Sequence, residues 1–483
     1  MLEQQDSKWT SLLNENRRKK AARAAGSVTT NEPQKDIEYR TQIERDHDRI
    51  LFCTPVRRMA DKTQVFPLDK NDSVRNRLTH SHEVSNLARS LGVTLAYNLQ
   101  SLLHVDDAKR TVPALLAAVG LVHDLGNPPF GHQGEAAIQS WFKDNKEDLC
   151  CGDISENLYQ DFLKFEGNAQ TFRLVTRLQL LNDNFGLDLT YATLAAMMKY
   201  PTSSMGIDKN EGVARKKHGF FYSEESIAKE VLSEVGLEMG LRHPMAYLME
   251  ACDDIAYAVL DAEDAIKKGL ASFSDLMAHL KHENSDPLVN SVVTLGEEKH
   301  TEYRGAGLSP AELNDVSMQR FRVFAIGEMI NAATEAFLIN EKSLVEGTEK
   351  SSLLELSKAS RLRDSLCDFS RSYAFVHRTV LEVELRGYNT IRGLMDIFWD
   401  AIKETDPNKK KDTPKNPYDR YVFTRISESY RRVYNDPADE VKQLPVKYRQ
   451  FLLLTDMISG MTDSYAMNLL EELTSFKMKV KNG

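Results

Sequence analysis

The chain has 483 residues, of which 41% are hydrophobic and 28% are charged, so it can bury a large core. Its formal net charge of -9 excludes binding to nucleic acid through the overall charge of the protein, so any such surface must be local. There is no apolar run near the roughly 20 residues that span a bilayer, no secretory signal pattern at the N-terminus, and no CxxC spacing among the five cysteines. We therefore expect a cytoplasmic protein without a membrane partner, a disulfide framework or cysteine-ligated zinc.

Most of the chain is predicted to be helical, because apolar residues recur three and four positions apart in segments rich in Leu, Ala, Glu, Lys and Met. The pattern predicts an all-α fold with a helical core and an appended C-terminal helical lobe. The predicted parts, in chain order, are a polar and basic, loosely packed arm (1–40), a core (41–270) that includes a loop or small hairpin (201–223), a helical extension (271–403), a polar connector (404–419) and a C-terminal helical segment (420–483).

The first helix with unusual chemistry is predicted within Arg75–Gly92, RNRLTHSHEVSNLARSLG. At helical spacing, His80 lies at one end of an apolar stripe, whereas His82 points elsewhere. The other members of that stripe are Val84, Leu87, Ala88 and Leu91.

The stretch Gly120–Ala137, GLVHDLGNPPFGHQGEAA, joins two predicted helices. His123 continues the apolar face of the first helix, which begins near Pro113, and Asp124 follows it directly. Glycine and proline then turn the chain sharply. His132 and Glu135 are thereby expected on one side at the start of the next helix. A helix cap formed by these two residues is the alternative explanation for the pair.

A third helix, Tyr247–Gly269, carries Asp253, Tyr257 and Asp261 at intervals of four residues. These form a polar stripe on an otherwise apolar helix. Acidic side chains are rarely buried without a partner, so the stripe indicates a cation or a polar ligand.

Together, His80, His123, Asp124 and Asp253 provide two imidazoles and two carboxylates from three helices. Each alone has a simpler explanation, since a single histidine on an apolar face is usually a hydrogen-bonded core residue. As a set they suit a divalent ion such as Mn, Fe, Co or Zn, and they tolerate Mg. Such an ion would lower the pKa of a water molecule and polarise a phosphoryl group.

The order H…HD…D on helices resembles the HD superfamily of metal-dependent phosphohydrolases. Further blocks resemble the deoxyguanosine triphosphate triphosphohydrolases (dGTPases), in family order from about residue 40 to 265: RILFCTPVRRMADKTQVFPL (49–68), RNRLTHSHEV (75–84), HDLGNPPFGHQGE (123–135), FEGNAQTFR (165–173) and ACDDIAY (251–257). The resemblance implies an HD-domain core that cleaves a dNTP at the α-phosphorus, releasing deoxynucleoside and intact triphosphate.

The resemblance also assigns catalytic roles. It implies that His132 is the catalytic acid/base or the nucleophile and that Glu135 orients it. A histidine with a carboxylate partner suits proton transfer near neutral pH. We favour attack by water with His132 transferring a proton, and the covalent alternative stays open.

Cations are expected around the triphosphate. The R-x-x-H pattern of the family includes Arg77, which makes it the strongest candidate. Lys199 and Tyr200 in MKYP and Lys217 in RKKHGFF are further candidates, although the two lysines could equally be solvated.

Other substrate contacts follow from the same resemblance. Tyr257 and Asp261 are expected to hold the sugar and the adjoining phosphate region. Gln64 is expected to read the sugar 3′-OH and to crowd out a ribose 2′-OH. Asn168 is expected to bind phosphate or the catalytic water, or else to form a plain loop turn. Asn127 stands where many relatives of broader specificity carry His, which indicates a preference for dGTP.

The resemblance implies a homo-oligomer, commonly a hexamer, with Tyr421–Tyr434 at a neighbour's site or at the interface. A nucleotide or single-stranded DNA effector is a further expectation. The basic runs Arg17–Lys20 and Lys409–Lys411 could contact a nucleic-acid backbone, although such runs are usually solvated.

Two other functions share this scaffold. An HD phosphodiesterase acting on a cyclic or signalling nucleotide would use the same metal set, but it has no need of KTQVF or of the His132–Glu135 pair. A nucleotide-sensing, DNA-binding regulator would be expected to lose a metal ligand, and all four are present.

Overall fold

The computed structural model describes residues 8–24, 38–66, 74–150, 154–179, 183–282, 286–409 and 412–481. Within these ranges the chain is helical without a strand, apart from isolated bridges between Arg17 and Thr190 and between Thr63 and Asn76. The predicted all-α fold is therefore confirmed. No helix in the described part of the chain is long and apolar enough to cross a membrane.

The α-helices of seven residues or more that carry this description are numbered in chain order: α1 Arg18–Ala24, α2 Gln42–Leu51, α3 Arg77–Asn98, α4 Ala108–Val122, α5 Gly131–Asp144, α6 Glu156–Leu163, α7 Gly167–Arg173, α8 Tyr191–Met197, α9 Glu225–Glu234, α10 Pro244–Lys267, α11 Phe273–His282, α12 Pro287–Arg304, α13 Pro310–Ile339, α14 Ser360–Ser370, α15 Arg378–Ile402, α16 Pro417–Arg425, α17 Glu428–Asn435, α18 Val446–Ser459 and α19 Asp463–Lys481.

Three helices form the centre of the molecule. α3 packs along α4, and α10 lies against both of them and against α13 and α14. α3 and α4 approach closely because Gly120 has no side chain: a Cβ there would lie 2.8 Å from the Cα of Ser85. The close approach leaves the rings of His80 and His123 with centroids 5.7 Å apart.

The helix starts follow their local sequences. Asn76 caps α3 by accepting a hydrogen bond from the amide of Thr79. Pro244 occupies the first turn of α10, where its missing N–H costs nothing. α4 begins at Ala108, earlier than predicted, so Pro113 lies inside the helix instead of near its start.

The C-terminal part packs directly on the core. α15 lies along α5, and also contacts α16, α18 and α19. The indole of Trp141 on α5 donates a hydrogen bond of 2.6 Å to Asp396 on α15, and its ring lies edge-on to Trp399. One continuous apolar cluster includes buried residues from both parts. The five-part division of the chain stays a prediction.

The described part of the N-terminal arm is packed more tightly than the sequence indicated, since Trp9 and Leu12 are fully buried. Its basic run is engaged within the molecule: ion pairs join Arg17 to Asp46, Arg18 to Glu230 and Lys19 to Asp183. In the other basic run, positions 410 and 411 lie outside the described residues. Residues 201–223 form a loop with short 3-10 turns and no hairpin.

Candidate functional site

Three of the predicted metal ligands meet between α3, α4 and α10. Nε2 of His80 lies 3.2 Å from Oδ1 of Asp253, and Nε2 of His123 lies 3.5 Å from the same oxygen. One donor atom from each residue lies within 4.8 Å of the other two. His80 faces inward because it continues the apolar stripe of α3, and Asp253 faces it from the polar stripe of α10.

The donor set fits a divalent cation. Nδ1 of His123 lies 2.8 Å from the carbonyl oxygen of Gly120, so in the neutral ring the proton resides there and Nε2 presents its lone pair. That Nε2 is buried and has no hydrogen-bond partner among the described residues. Burial alone would lower the pKa of His123, but the carboxylates of Asp124 and Asp253 raise it to about 9. A concentration of negative charge and an unused imidazole nitrogen are what a metal ion would satisfy.

Asp124, the fourth predicted ligand, lies beside the group and is held by two neighbours. Its Oδ2 is 3.5 Å from Nε2 of His123 and accepts a hydrogen bond from Arg77. Its Oδ1 accepts a hydrogen bond of 2.6 Å from the side-chain amide (Nδ2) of Asn127. Burial would raise the pKa of Asp124, but the charges of Arg77 and His123 lower it to about 2. Arg77 and Asn127 thus fix the carboxylate in its ionised form.

The predicted acid/base pair lies at the start of α5. Nδ1 of His132 is 3.2 Å from Oε2 of Glu135, and the other oxygen of Glu135 accepts a hydrogen bond of 2.8 Å from the amide of Gly167. The His132 side chain is 87% exposed and that of Glu135 is 8% exposed. A solvent-accessible imidazole is thus hydrogen-bonded to a buried carboxylate. The helix cap expected as the alternative is not formed: Phe130 is the N-cap residue, and it makes no side-chain cap.

The hydrogen bond that His132 donates to Glu135, together with the charge of that carboxylate, raises the pKa of His132 above its ordinary value. Burial would raise the pKa of Glu135, but the hydrogen bond and the charge of His132 lower it. The pair is therefore suited to hold a proton on His132 near neutral pH.

Glu166 is a residue of the site that sequence reasoning missed, although it stands inside the quoted block FEGNAQTFR. It is buried and lies 2.8 Å from Nζ of Lys217, while its other oxygen accepts a hydrogen bond of 2.9 Å from Asn168. Burial and the charge of Glu135 raise the pKa of Glu166. Its position therefore links Lys217 and Asn168 to the acid/base pair.

Lys199 lies beside Asp253, one of the predicted metal ligands. Its Nζ lies 3.7 Å from Oδ2 of Asp253 and 3.5 Å from Glu250, and it stands 6.0 Å from the centre of the buried Tyr200 ring. Arg242, fully buried, donates a hydrogen bond of 2.7 Å to the carbonyl of Lys199 and pairs with Glu250. Lys199 is thus a partly buried cation beside the ligand group, with 15% of its side chain exposed, and not a solvated surface lysine.

Gln64 and Asp261, two of the residues predicted to bind the sugar region of the substrate, each have a buried oxygen atom without a partner in the part of the chain that the structure describes. Oε1 of Gln64 and Oδ2 of Asp261 are buried without a hydrogen-bond partner in the described residues. Burial and the nearby Asp264 raise the pKa of Asp261 well above its ordinary value. Buried polar atoms of this kind are costly unless a ligand or water satisfies them, which is consistent with a ligand-binding role.

The segment after the predicted core also reaches the site. The ring of Phe375 lies 6.2 Å from that of Tyr257, and Arg363 approaches the carboxylate of Asp254 to 4.0 Å. These contacts were not expected, because the sequence patterns placed all candidate residues before residue 270.

Comparisons with known proteins agree with this geometry. Residues 77–196 match the model of the HD domain. The chain is 36% identical to the deoxyguanosinetriphosphate triphosphohydrolase-like protein of Listeria monocytogenes, over 96% of this chain and 99% of that protein. It is 32% identical to the like-named protein of Synechocystis, over 91% and 95%. It is 31% identical to the deoxyguanosinetriphosphate triphosphohydrolase of Yersinia pestis, over 89% and 93%.

Proposed function

The chain belongs to the HD-domain family of deoxyguanosinetriphosphate triphosphohydrolase-like hydrolases, and from that membership we propose that it hydrolyses deoxynucleoside triphosphates, with dGTP preferred, to deoxynucleoside and triphosphate. The observation that carries the proposal is the grouping of His80, His123 and Asp253 within 4.8 Å in a chain that aligns with these relatives over nearly its whole length.

His80, His123 and Asp253 would hold the divalent ion, with Asp124 beside them. When bound, such an ion lowers the pKa of a water molecule and offsets phosphate charge. Asp124 and Asp253 place beside the His123 ring the negative charge that such an ion would offset.

His132 would transfer the proton of the reaction. Its exposed ring is accessible to substrate, and Glu135 stabilises the protonated form. The amide of Gly167 keeps the Glu135 carboxylate from rotating away. Arg77 on α3, and Lys199 and Lys217 in the segment between α8 and α9, provide three cations, an arrangement suited to a triphosphate.

At the other end of the substrate, Gln64 and Asp261 would bind the deoxyribose through their unused oxygens. Tyr257 would pack beside the sugar, and Asn168 would contact phosphate or water. Asn127 supports the preference for dGTP through the likeness already described, with its side chain bound to Asp124. A homo-oligomer and a nucleotide or DNA effector stay predictions.

Product analysis tests the proposal. Purified protein is incubated with each dNTP and each NTP in the presence of Mg²⁺ or Mn²⁺, and the products are separated by chromatography. We expect deoxyguanosine and triphosphate from dGTP, with loss of turnover in His80→Ala and Asp253→Ala. His82→Ala is the matched control, since that exposed histidine lies on the same helix and outside the ligand group.

Equal hydrolysis of every dNTP would keep the reaction and remove the dGTP preference. Orthophosphate, pyrophosphate or nucleoside monophosphate as the product would contradict the proposal. So would the absence of turnover even with added nucleotides and single-stranded DNA.

A further inference from the structure

A single carboxylate of the C-terminal lobe contacts two segments of the site. Asp463, the first residue of α19, is almost fully buried. Its Oδ2 accepts a hydrogen bond of 2.9 Å from the amide of Thr63 and another from the Thr63 hydroxyl. Its Oδ1 accepts a hydrogen bond of 2.9 Å from the amide of Phe130.

Both of those segments lead directly to site residues. Thr63 precedes Gln64, and its carbonyl accepts a hydrogen bond of 3.1 Å from Nε of Arg77. Phe130 lies two residues before His132. The carboxylate therefore fixes the distance between the segment that carries Gln64 and the turn that carries His132.

The turn before His132 needs such support, because its backbone is strained. Phe130 has a φ of 61° and Gly131 a φ of 55°, and the left-handed conformation is unfavourable for a residue as bulky as phenylalanine. The Phe130 ring packs against α15 where Gly387 leaves room for it, since a Cβ at that position would overlap the ring. α15 and α19, both outside the predicted core, thus hold this turn from two sides.

A second tether reaches the same turn. Nζ of Lys62 donates hydrogen bonds of 2.6 Å to the carbonyl of Asn127 and 2.8 Å to the carbonyl of Ser459 at the end of α18. The turn between Asp124 and His132 is therefore attached to the lobe at both of its ends.

We propose that Asp463 is a positioning residue of the active site, and that through it the C-terminal lobe sets the placement of the His132 turn relative to the segment of Gln64 and Arg77. Asp463 acts through the backbone of Thr63 and Phe130. The activity readout of this proposal rests on the proposed function, whereas its structural readout does not.

The test compares Asp463→Asn with the wild-type protein. Asparagine has the same shape, but its amide nitrogen must face either the N–H of Thr63 or that of Phe130, so one tether is lost. Asp46→Asn is the control for loss of a buried carboxylate. Asp46 is fully buried, accepts hydrogen bonds of 2.8 Å and 2.7 Å from the amide and hydroxyl of Thr190 and pairs with Arg17, and this arrangement involves none of the site residues.

Hydrogen exchange and kinetics are both measured. We expect exchange of the amides in residues 124–135 to speed up about tenfold in Asp463→Asn and to stay unchanged in Asp46→Asn. We expect kcat for triphosphate release to fall about 10- to 100-fold with KM changed by less than about threefold, because the displaced group acts on the reaction step. Where Asp463→Asn does not yield folded protein, Thr63→Val removes only the hydroxyl bond, and smaller changes in the same directions are expected.

Unchanged exchange in residues 124–135 overturns the proposal, as does a fall in kcat no larger than that of Asp46→Asn. A rise in KM at constant kcat overturns it as well, because it would indicate loss of substrate binding alone. If the wild-type protein releases no triphosphate from any dNTP, the proposed function fails, and the exchange comparison still decides whether Asp463 holds the turn.

Discussion

Lys62 provides a test of how a buried ammonium group is tolerated beside the turn between Asp124 and His132. It is almost fully buried, and its Nζ donates to two carbonyls, those of Asn127 and Ser459. Burial, together with the charge of Arg77, lowers the pKa of Lys62 from 10.5 to about 7. Lys62→Met keeps the length and apolar stem of the side chain and removes the titrating group.

The sign and size of the effect follow from proton linkage. Between pH 7 and the ordinary lysine pKa, the unfolded chain holds a proton on Lys62 that the folded protein has lost, so the free energy of unfolding rises with pH. The expected gain is about 2 kcal/mol between pH 7 and pH 9, since a full proton corresponds to about 1.4 kcal/mol per pH unit. Lys62→Met lacks this contribution.

The assay is urea unfolding of both proteins at pH 7, 8 and 9, monitored by tryptophan fluorescence. Groups distant from Lys62 titrate alike in the two proteins, so the difference between their free energies of unfolding reports on Lys62 and the groups beside it. We expect the free energy of unfolding of the wild-type protein to rise relative to that of Lys62→Met as pH rises. A difference that stays constant within about 0.5 kcal/mol, well inside the gain expected from linkage, would refute the reasoning.

Three further outcomes are expected. Mn²⁺ at about 100 times its dissociation constant should raise the free energy of unfolding of the wild-type protein by about 2.7 kcal/mol, and in Asp253→Asn most of that gain should vanish; equal gains in urea titrations would contradict the metal site. Glu135→Gln should lower the pKa of His132, because it removes the hydrogen bond that raises it, so the limb of the kcat profile governed by His132 should move to lower pH; a limb that stays in place would show that the pair does not titrate in turnover. Gly387→Ala should destabilise the protein by about 1–3 kcal/mol, because the new Cβ overlaps the Phe130 ring; an unchanged melting temperature would mean that the ring has room to move.

The parts of the site that the sequence predicted are those governed by local periodicity. His80 faces inward because it continues an apolar helical stripe, and Asp253 belongs to the polar stripe that it forms with Tyr257 and Asp261. Both stripes can be counted along the chain. His132 and Glu135 lie on one side of a helix turn because they are three residues apart, a spacing that can also be read from the sequence. Of the adjacent carboxylates Asp253 and Asp254, Asp253 is the one grouped with His80 and His123.

The contacts that the sequence did not predict join residues far apart in the chain. Lys62 and Ser459 are 397 positions apart, and Thr63 and Asp463 are 400 apart. No helical period relates such pairs, and each residue alone looks like an ordinary polar side chain. Asp124 shows a different limit of sequence-based prediction. The sequence predicted a ligand carboxylate next to His123, but it could not predict the hydrogen bonds of Asp124 to Arg77 and Asn127, which depend on tertiary packing.

The bond between Phe130 and Asp463 has a consequence for the order of synthesis. The ribosome makes the histidines of the site early, and it makes the carboxylate that secures the Phe130 turn 333 residues later. While α19 is still untranslated, the Phe130 amide of a nascent chain has no Asp463 to bond. Truncated products of interrupted translation would therefore carry the HD motif without the support of its turn. The hydrogen bond to the Phe130 amide thus cannot form before α19 has been synthesised.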